Sequence, residues 1–205
     1  MPGRTTTIAY LDGFNWYHGA RSTFGRRYLW MDPVALVRRI RPRDDVLVVR
    51  YFTALVKDDP PALHRQQTYL AALRAHCGSS LDIVEGRFQA KTHRCRKCGA
   101  SWRQYEEKET DVNIAVSLVA DAASQASDLA VVISADSDLC PAIRMARAVA
   151  PSRGMIVAFP PGRRSFEIKS LVPGTLVVGA DKIRRSLLPD VVQGELELRC
   201  PEHWR

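Results

Sequence analysis

The stretch Val131-Val132-Ile133-Ser134-Ala135-Asp136-Ser137-Asp138-Leu139-Cys140-Pro141 passes from apolar run to carboxylates to helix former, the pattern of a functional turn in an α/β protein. Leu129 to Ile133 reads as a strand covered on both faces. Ser134 to Asp138 reads as a turn and cap. Pro141 is tolerated in the first turn of a helix carried by Leu139, Ile143, Met145, Ala146 and Val149. Asp136 and Asp138 are thereby expected at the carboxyl end of a strand, where open parallel sheets place ligands. A single Asp there is as a rule only a cap. Two carboxylates one residue apart beside a buried strand repel each other unless a cation is bound.

Two further blocks present acids in similar settings. Thr7 to Leu11 reads as a strand, and Asp12-Gly13-Phe14-Asn15 as the turn after it. There Gly13 permits close backbone approach or positive φ, and Asn15 either holds the loop or offers a neutral oxygen. Glu106-Glu107-Lys108-Glu109-Thr110-Asp111 leads into a helix whose apolar marks are Val112, Ala115, Val116, Val119, Ala122 and Ala123. Taken singly, an Asp-Gly turn and a Thr110 or Asp111 helix cap account for both blocks.

Together, Asp12-Gly13-Phe14-Asn15, Lys108-Glu109-Thr110-Asp111-Val112 and Ser134-Ala135-Asp136-Ser137-Asp138 resemble, in order and separation, the NYN domain, a branch of the PIN-like nuclease superfamily. The resemblance spans roughly residues 5–180. It departs from the family pattern at Ala135 and Thr110, each standing where a Gly is usual. It implies a Rossmann-like (PIN-like) three-layer α/β sandwich with a central, mainly parallel sheet. It also implies that Asp12, Asp111 and Asp136 bind Mg²⁺ or Mn²⁺, with Asp138 and Asn15 as accessory catalytic residues, and that the substrate is RNA. Carboxylates suit these hard, oxygen-preferring cations, which activate water for in-line attack on a phosphodiester. The expectation is a metal-dependent endoribonuclease. Its alternatives are a non-catalytic RNA-binding protein and small-molecule chemistry on the same fold. No Gly-x-Gly-x-x-Gly follows the first strand, which argues against a dinucleotide cofactor.

The elements that must position these acids alternate. Asp32 and Pro33 open a helix through Val34, Leu36, Val37 and Ile40. Val46 to Phe52 is a strand, Pro60 to Cys77 a helix and Leu81 to Val84 a short strand. Beyond the Asp136 helix come a strand at Met155 to Phe159, a short helix at Ser165 to Leu171, a strand at Thr175 to Val178 and a helix at Ile183 to Leu188. Glu195 to Leu198 is a candidate edge strand. This order predicts parallel strands with right-handed crossovers. The expected division is one domain over 5–180, with an insertion at 89–105, and a C-terminal helix and tail over 181–205. In the loop from Trp16-Tyr17-His18 to Tyr28-Leu29-Trp30, aromatic and basic residues suit either base stacking or core packing.

The insertion contains Cys95-Arg96-Lys97-Cys98-Gly99, half of a zinc knuckle. No second Cys-x-x-Cys exists, so Cys95 and Cys98 need further ligands from among His93, His76, Cys77, Cys200 and His203, or else are free thiols in a basic loop. Five cysteines without a secretory signal argue against a disulfide scaffold. No apolar run approaches a membrane span, and a cytoplasmic protein is expected. The net charge of +8 suits a polyanionic partner, although arginine bias from a GC-rich genome would give the same balance. The number of copies is left open, a homodimer included.

Overall fold

The computed structural model describes residues 3–204, except the side chains of Gln104, Glu106 and Glu107. Met1, Pro2 and Arg205, the last of these the end of the expected tail, lie outside it. Its centre is β1 (Thr6–Asp12), which is buried from Thr7 to Asp12 because β2 (Asp45–Ala54) and β5 (Leu129–Ile133) flank it in parallel. The remaining strands are β3 (Leu81–Arg94), β4 (Ser101–Lys108), β6 (Gly154–Phe159) and β7 (Thr175–Val177). They complete a seven-stranded sheet of order β4-β3-β2-β1-β5-β6-β7, antiparallel only at β3–β4. The chain is thus a mainly parallel α/β sandwich, as expected.

Alternate side chains of β1 point to opposite layers. Ala9 and Leu11 join the core with α1 (Gly13–Phe24), α2 (Pro33–Ile40) and α3 (Pro60–Cys77). Ile8 and Tyr10 join the other, with α4 (Thr110–Ala123), α5 (Cys140–Val149) and α6 (Phe166–Leu171). The period-two alternation of a strand serves two cores at once. Tyr10 carries a polar network into the second: its hydroxyl donates to Asp121 at 2.7 Å, Arg50 reaches Asp121 at 3.0 Å, and Arg153 reaches the Tyr10 oxygen at 3.2 Å. Burial, above all, pushes the Tyr10 phenol well above its ordinary range.

Three expected elements differ. The short strand at Leu81 to Val84 continues to Arg94 and turns back as β4, so the insertion is a β-hairpin with the Cys95–Cys98 turn at its tip. Its outer residues are mostly polar, and the brief alternation of Phe88 and Ala90 with Arg87, Gln89 and Lys91 is too short to mark a strand. The helix expected at Ile183 to Leu188 is instead α7 (Ala180–Arg184), after which Leu187 bridges to Met31. The candidate edge strand is β9 (Glu197–Arg199), paired with β8 (Val191–Gln193) in a separate ribbon. Among the described residues, no helix is long and apolar enough to cross a membrane.

Candidate metal centre

At the carboxyl ends of β1 and β5, adjacent strands whose connections leave in opposite directions across the sheet, three acids converge. Asp12 ends β1, Asp136 follows β5, and Asp111 stands in the first turn of α4. One carboxylate oxygen from each lies within 4.8 Å of the other two. Asp12 is buried at 4% exposure, and the others are half-buried. Such a switch point is the usual ligand site of an open parallel sheet.

Asp12 and Asp136 are each held by the local backbone. Asp12 caps α1, its Oδ1 accepting from the Asn15 amide at 2.9 Å. Gly13 must be glycine because a Cβ would stand 2.5 Å from the Phe52 carbonyl oxygen, so of its two expected uses close approach is the one realised. Ser134, fully buried, donates its hydroxyl to Asp12 Oδ2 at 2.8 Å and accepts from the Asp136 amide at 3.0 Å. Asp136 in turn caps the short 3-10 turn Ser137–Leu139, with Oδ1 accepting from the Asp138 amide at 3.0 Å. At α4 the N-cap position belongs to Glu109, which takes a left-handed φ of 77°, a costly conformation for a non-glycine residue. Thr110 and Asp111 thus begin the helix and do not cap it.

The accessory residues separate. Asn15 is buried beside the acids, and its side-chain oxygen accepts from the Ala135 amide at 3.1 Å, tying α1 to the β5 turn. Asp138 is exposed and lines a different hollow with Ser137, Arg144 and Glu167; among the described residues the acidic group comprises only Asp12, Asp111 and Asp136. His18 and Arg163 complete the rim of the acidic hollow. Burial, with Arg163 and Arg21 nearby, holds the His18 imidazole below its ordinary pKa. Ser134 and Arg163 do not stand out in the sequence as site residues, and His18 does so only as part of the aromatic and basic loop. Ser134 lies inside a motif block, whereas nothing in the sequence links Arg163, in the turn after β6, to the acids.

The donor set consists of oxygen ligands crowded closely enough to repel strongly when ionised, which fits a hard divalent cation. At the hairpin tip, Cys95 and Cys98 lie in a tight turn closed by Cys95 N–Ala100 O (2.7 Å) and Gly99 N–Cys95 O (2.9 Å), with Gly99 at φ 74°. Hydrogen bonds from the Cys98 and Lys97 amides, then from the Cys98 side chain, lower the Cys95 thiol's pKa. Among the described residues no third ligand completes a group with them. His93 stacks on Trp102, His76 and Cys77 approach Asp32, Cys200 is buried, and His203 meets Arg26.

The NYN domain family matches residues 7–168. The chain is 26% identical, over 97% of its length and 75% of the relative's, to 6-hydroxy-3-succinoylpyridine 3-monooxygenase HspA from Pseudomonas putida. A crystal structure of a protein of unknown function from Vibrio parahaemolyticus superposes with a TM-score of 0.62 at 15% identity, covering 92% of this chain and 99% of that one.

Proposed function

The chain belongs to the NYN domain family, and on that premise we propose that it is a metal-dependent ribonuclease that hydrolyses RNA phosphodiester bonds. The convergence of Asp12, Asp111 and Asp136 within 4.8 Å carries this reading. Mg²⁺ or Mn²⁺ bound there would activate water and offset charge developing on the phosphate. The chain's own residues do the positioning. Asp12, fixed through both oxygens by Asn15 and Ser134, is the rigid ligand. Asp111 and Asp136 approach from separate elements, so the hollow between the helix ends is open to a phosphate. Arg163 on its rim supplies a cation for a phosphate oxygen. Asn15 acts as a positioning residue, and Asp138 stands outside the ligand group.

The exposed hairpin, with Lys91, Arg94, Arg96 and Lys97, offers a basic arm for the RNA backbone. The Cys95–Cys98 turn suits two thiolate ligands to a structural zinc ion, the other ligands coming from outside the described chain. The test of the principal reading is cleavage of mixed RNA and DNA substrates in Mn²⁺, with and without chelator. Asp12→Asn and Asp136→Asn should each lose cleavage while remaining folded. Retention of metal-dependent cleavage by both would overturn it.

A second reading is small-molecule chemistry on an aromatic ring. The named activity of the Pseudomonas relative and an aromatic-lined cavity beside the acids favour it. A chelator-insensitive absence of RNA cleavage, joined to turnover of a hydroxylated pyridine, would select it.

A further inference from the structure

The acidic hollow shares Phe14 and His18 with a second, deeper cavity of about 340 Å³. Helix α1 forms the partition. Phe14, Tyr17, His18 and Arg21 recur at i, i+3, i+4 and i+7 and so make one stripe along it. We propose that this cavity is a binding subsite for a planar aromatic ring carrying an anionic group. That the ring belongs to one nucleotide of a substrate held against the acids is a corollary that rests on the ribonuclease reading.

Rings make the walls. Trp16, Tyr51, Tyr69 and Trp204 are buried and line the space, with Tyr69 edge-on to Tyr51 (6.3 Å, 81°) and to Trp204 (5.7 Å, 74°). The Tyr69 hydroxyl is spent on the Met31 carbonyl at 2.5 Å, so Tyr69 turns its ring and not its polar end to the cavity. The floor is fixed by Gln66, which accepts from the Val56 amide at 2.8 Å and donates to the Ala54 carbonyl at 2.9 Å. The volume is near the lower end of small-ligand sites, roughly 300–1,000 Å³. One ring system with a substituent fits that space; a dinucleotide does not. Stacking on such rings tolerates any base.

Guanidiniums gather at the rim. Arg21, Arg26 and Arg65 come from α1, the loop after it and α3, and among the described residues none of them forms an ion pair with a carboxylate. Arg21 donates to the Tyr17 oxygen at 3.0 Å and lies 5.7 Å from that ring's centre; Arg26 approaches His203 Nδ1 at 3.2 Å. Desolvation first, then the charges of Arg26, Arg65 and Arg21, keep the His203 imidazole below its ordinary pKa, in keeping with the place of all four residues in the lining of the same cavity. The acid in the lining, Asp59, is already accepting from the Ala62 amide at 2.9 Å as the cap of α3. A cavity that served only to pack the tail against α3 would have no use for three cations that outnumber the one carboxylate in the lining and form no ion pair with it. An anion attached to the stacked ring supplies the missing charge.

The test is calorimetric titration of the full chain in chelator, which removes binding through the acids. The probes are adenosine and uridine 5′-monophosphates against their nucleosides, and nicotinate against nicotinamide. At least one charged probe should bind saturably, its neutral partner being about tenfold weaker or more, as loss of a charge-assisted contact implies. Arg26→Ala with Arg65→Ala should erase that difference while leaving the thermal unfolding midpoint near wild type. Binding of the monophosphates alone makes the source a nucleotide; binding of nicotinate alone makes it a free aromatic acid; either supports the subsite. Failure of every charged probe at millimolar concentration, equal binding of neutral partners, or unchanged selectivity in the double variant overturns it. Cleavage without probe binding would sink the subsite alone, and probe binding without cleavage would sink the ribonuclease reading alone.

Discussion

Replacing Asp136 by Asn removes one charge from the acidic group while keeping the oxygen that caps the 3-10 turn, since only Oδ1 accepts from the Asp138 amide. Two repulsions vanish, one with Asp12 and one with Asp111, each between oxygens no more than 4.8 Å apart. Unit charges at that separation interact by about 0.9 kcal/mol in water and about 3.5 kcal/mol at an effective dielectric constant of 20. Asp111 and Asp136 are half-exposed, which sets the pair terms near the aqueous limit, for a total of about 2 kcal/mol. In chelator the variant should therefore unfold at a higher temperature than wild type, by about 4–8 °C for a chain of this size. In excess Mn²⁺ the order should reverse, because stabilisation by a ligand grows with its affinity for the folded state. Differential scanning calorimetry in both conditions reads the two midpoints. A variant less stable than wild type in chelator, or equal stabilisation of both proteins by Mn²⁺, would refute the account of these acids as a strained cation site.

Ser134→Ala removes the hydroxyl shared by Asp12 and the Asp136 amide. Mn²⁺ affinity, followed by titration, should fall about 10–100-fold with the fold retained, as loss of a ligand's supporting contact does. Asp44 governs part of the acid limb of stability. Burial alone would raise its carboxyl, but hydrogen bonds from Arg41 and Thr7 more than offset that and hold it below the ordinary 3.8. Its contribution is therefore complete above that value and lost as pH falls through the folded-state pKa; in acid titrations followed by circular dichroism, Asp44→Asn should lose less stability than wild type over that range. Cys95→Ser with Cys98→Ser should eliminate zinc from protein purified under reducing conditions, as read by elemental analysis, and leave Mn²⁺ binding unchanged; zinc that stays stoichiometric would exclude the turn as its site.

The sheet was legible because its inner strands are mainly apolar runs, broken within β2 by Arg50; Leu129 to Ile133 is buried at every position. Carboxylates at the ends of such runs marked Asp12 and Asp136, and the periodic helix after Asp111 marked the third block. Residues whose role depends on long-range approach were not legible. Arg163 reaches the acidic hollow through a turn with no motif of its own. Trp16 and Trp30 were ambiguous between stacking and packing; both are core residues, yet Trp16 also walls the aromatic cavity, so the two alternatives do not exclude each other there. The hairpin was not legible because from Arg87 onward the strand leaves β2, pairs only with its own return and carries mostly polar residues, with Phe88 and Ala90 too few to mark an apolar face.

The hydroxyl of Ser134 closes on a carboxylate 122 positions earlier in the chain. Asp136 is not within reach of Asp12 and Asp111 until β5 has paired with β1, and that pairing is among the longest-range steps in the fold. Chemistry and topology are thus completed together. A growing or truncated chain that stops short of β5 has Asp12, Asp111 and strands β1 to β4 but lacks Asp136, so the three-acid cluster cannot be complete before the central strand is sealed on both sides.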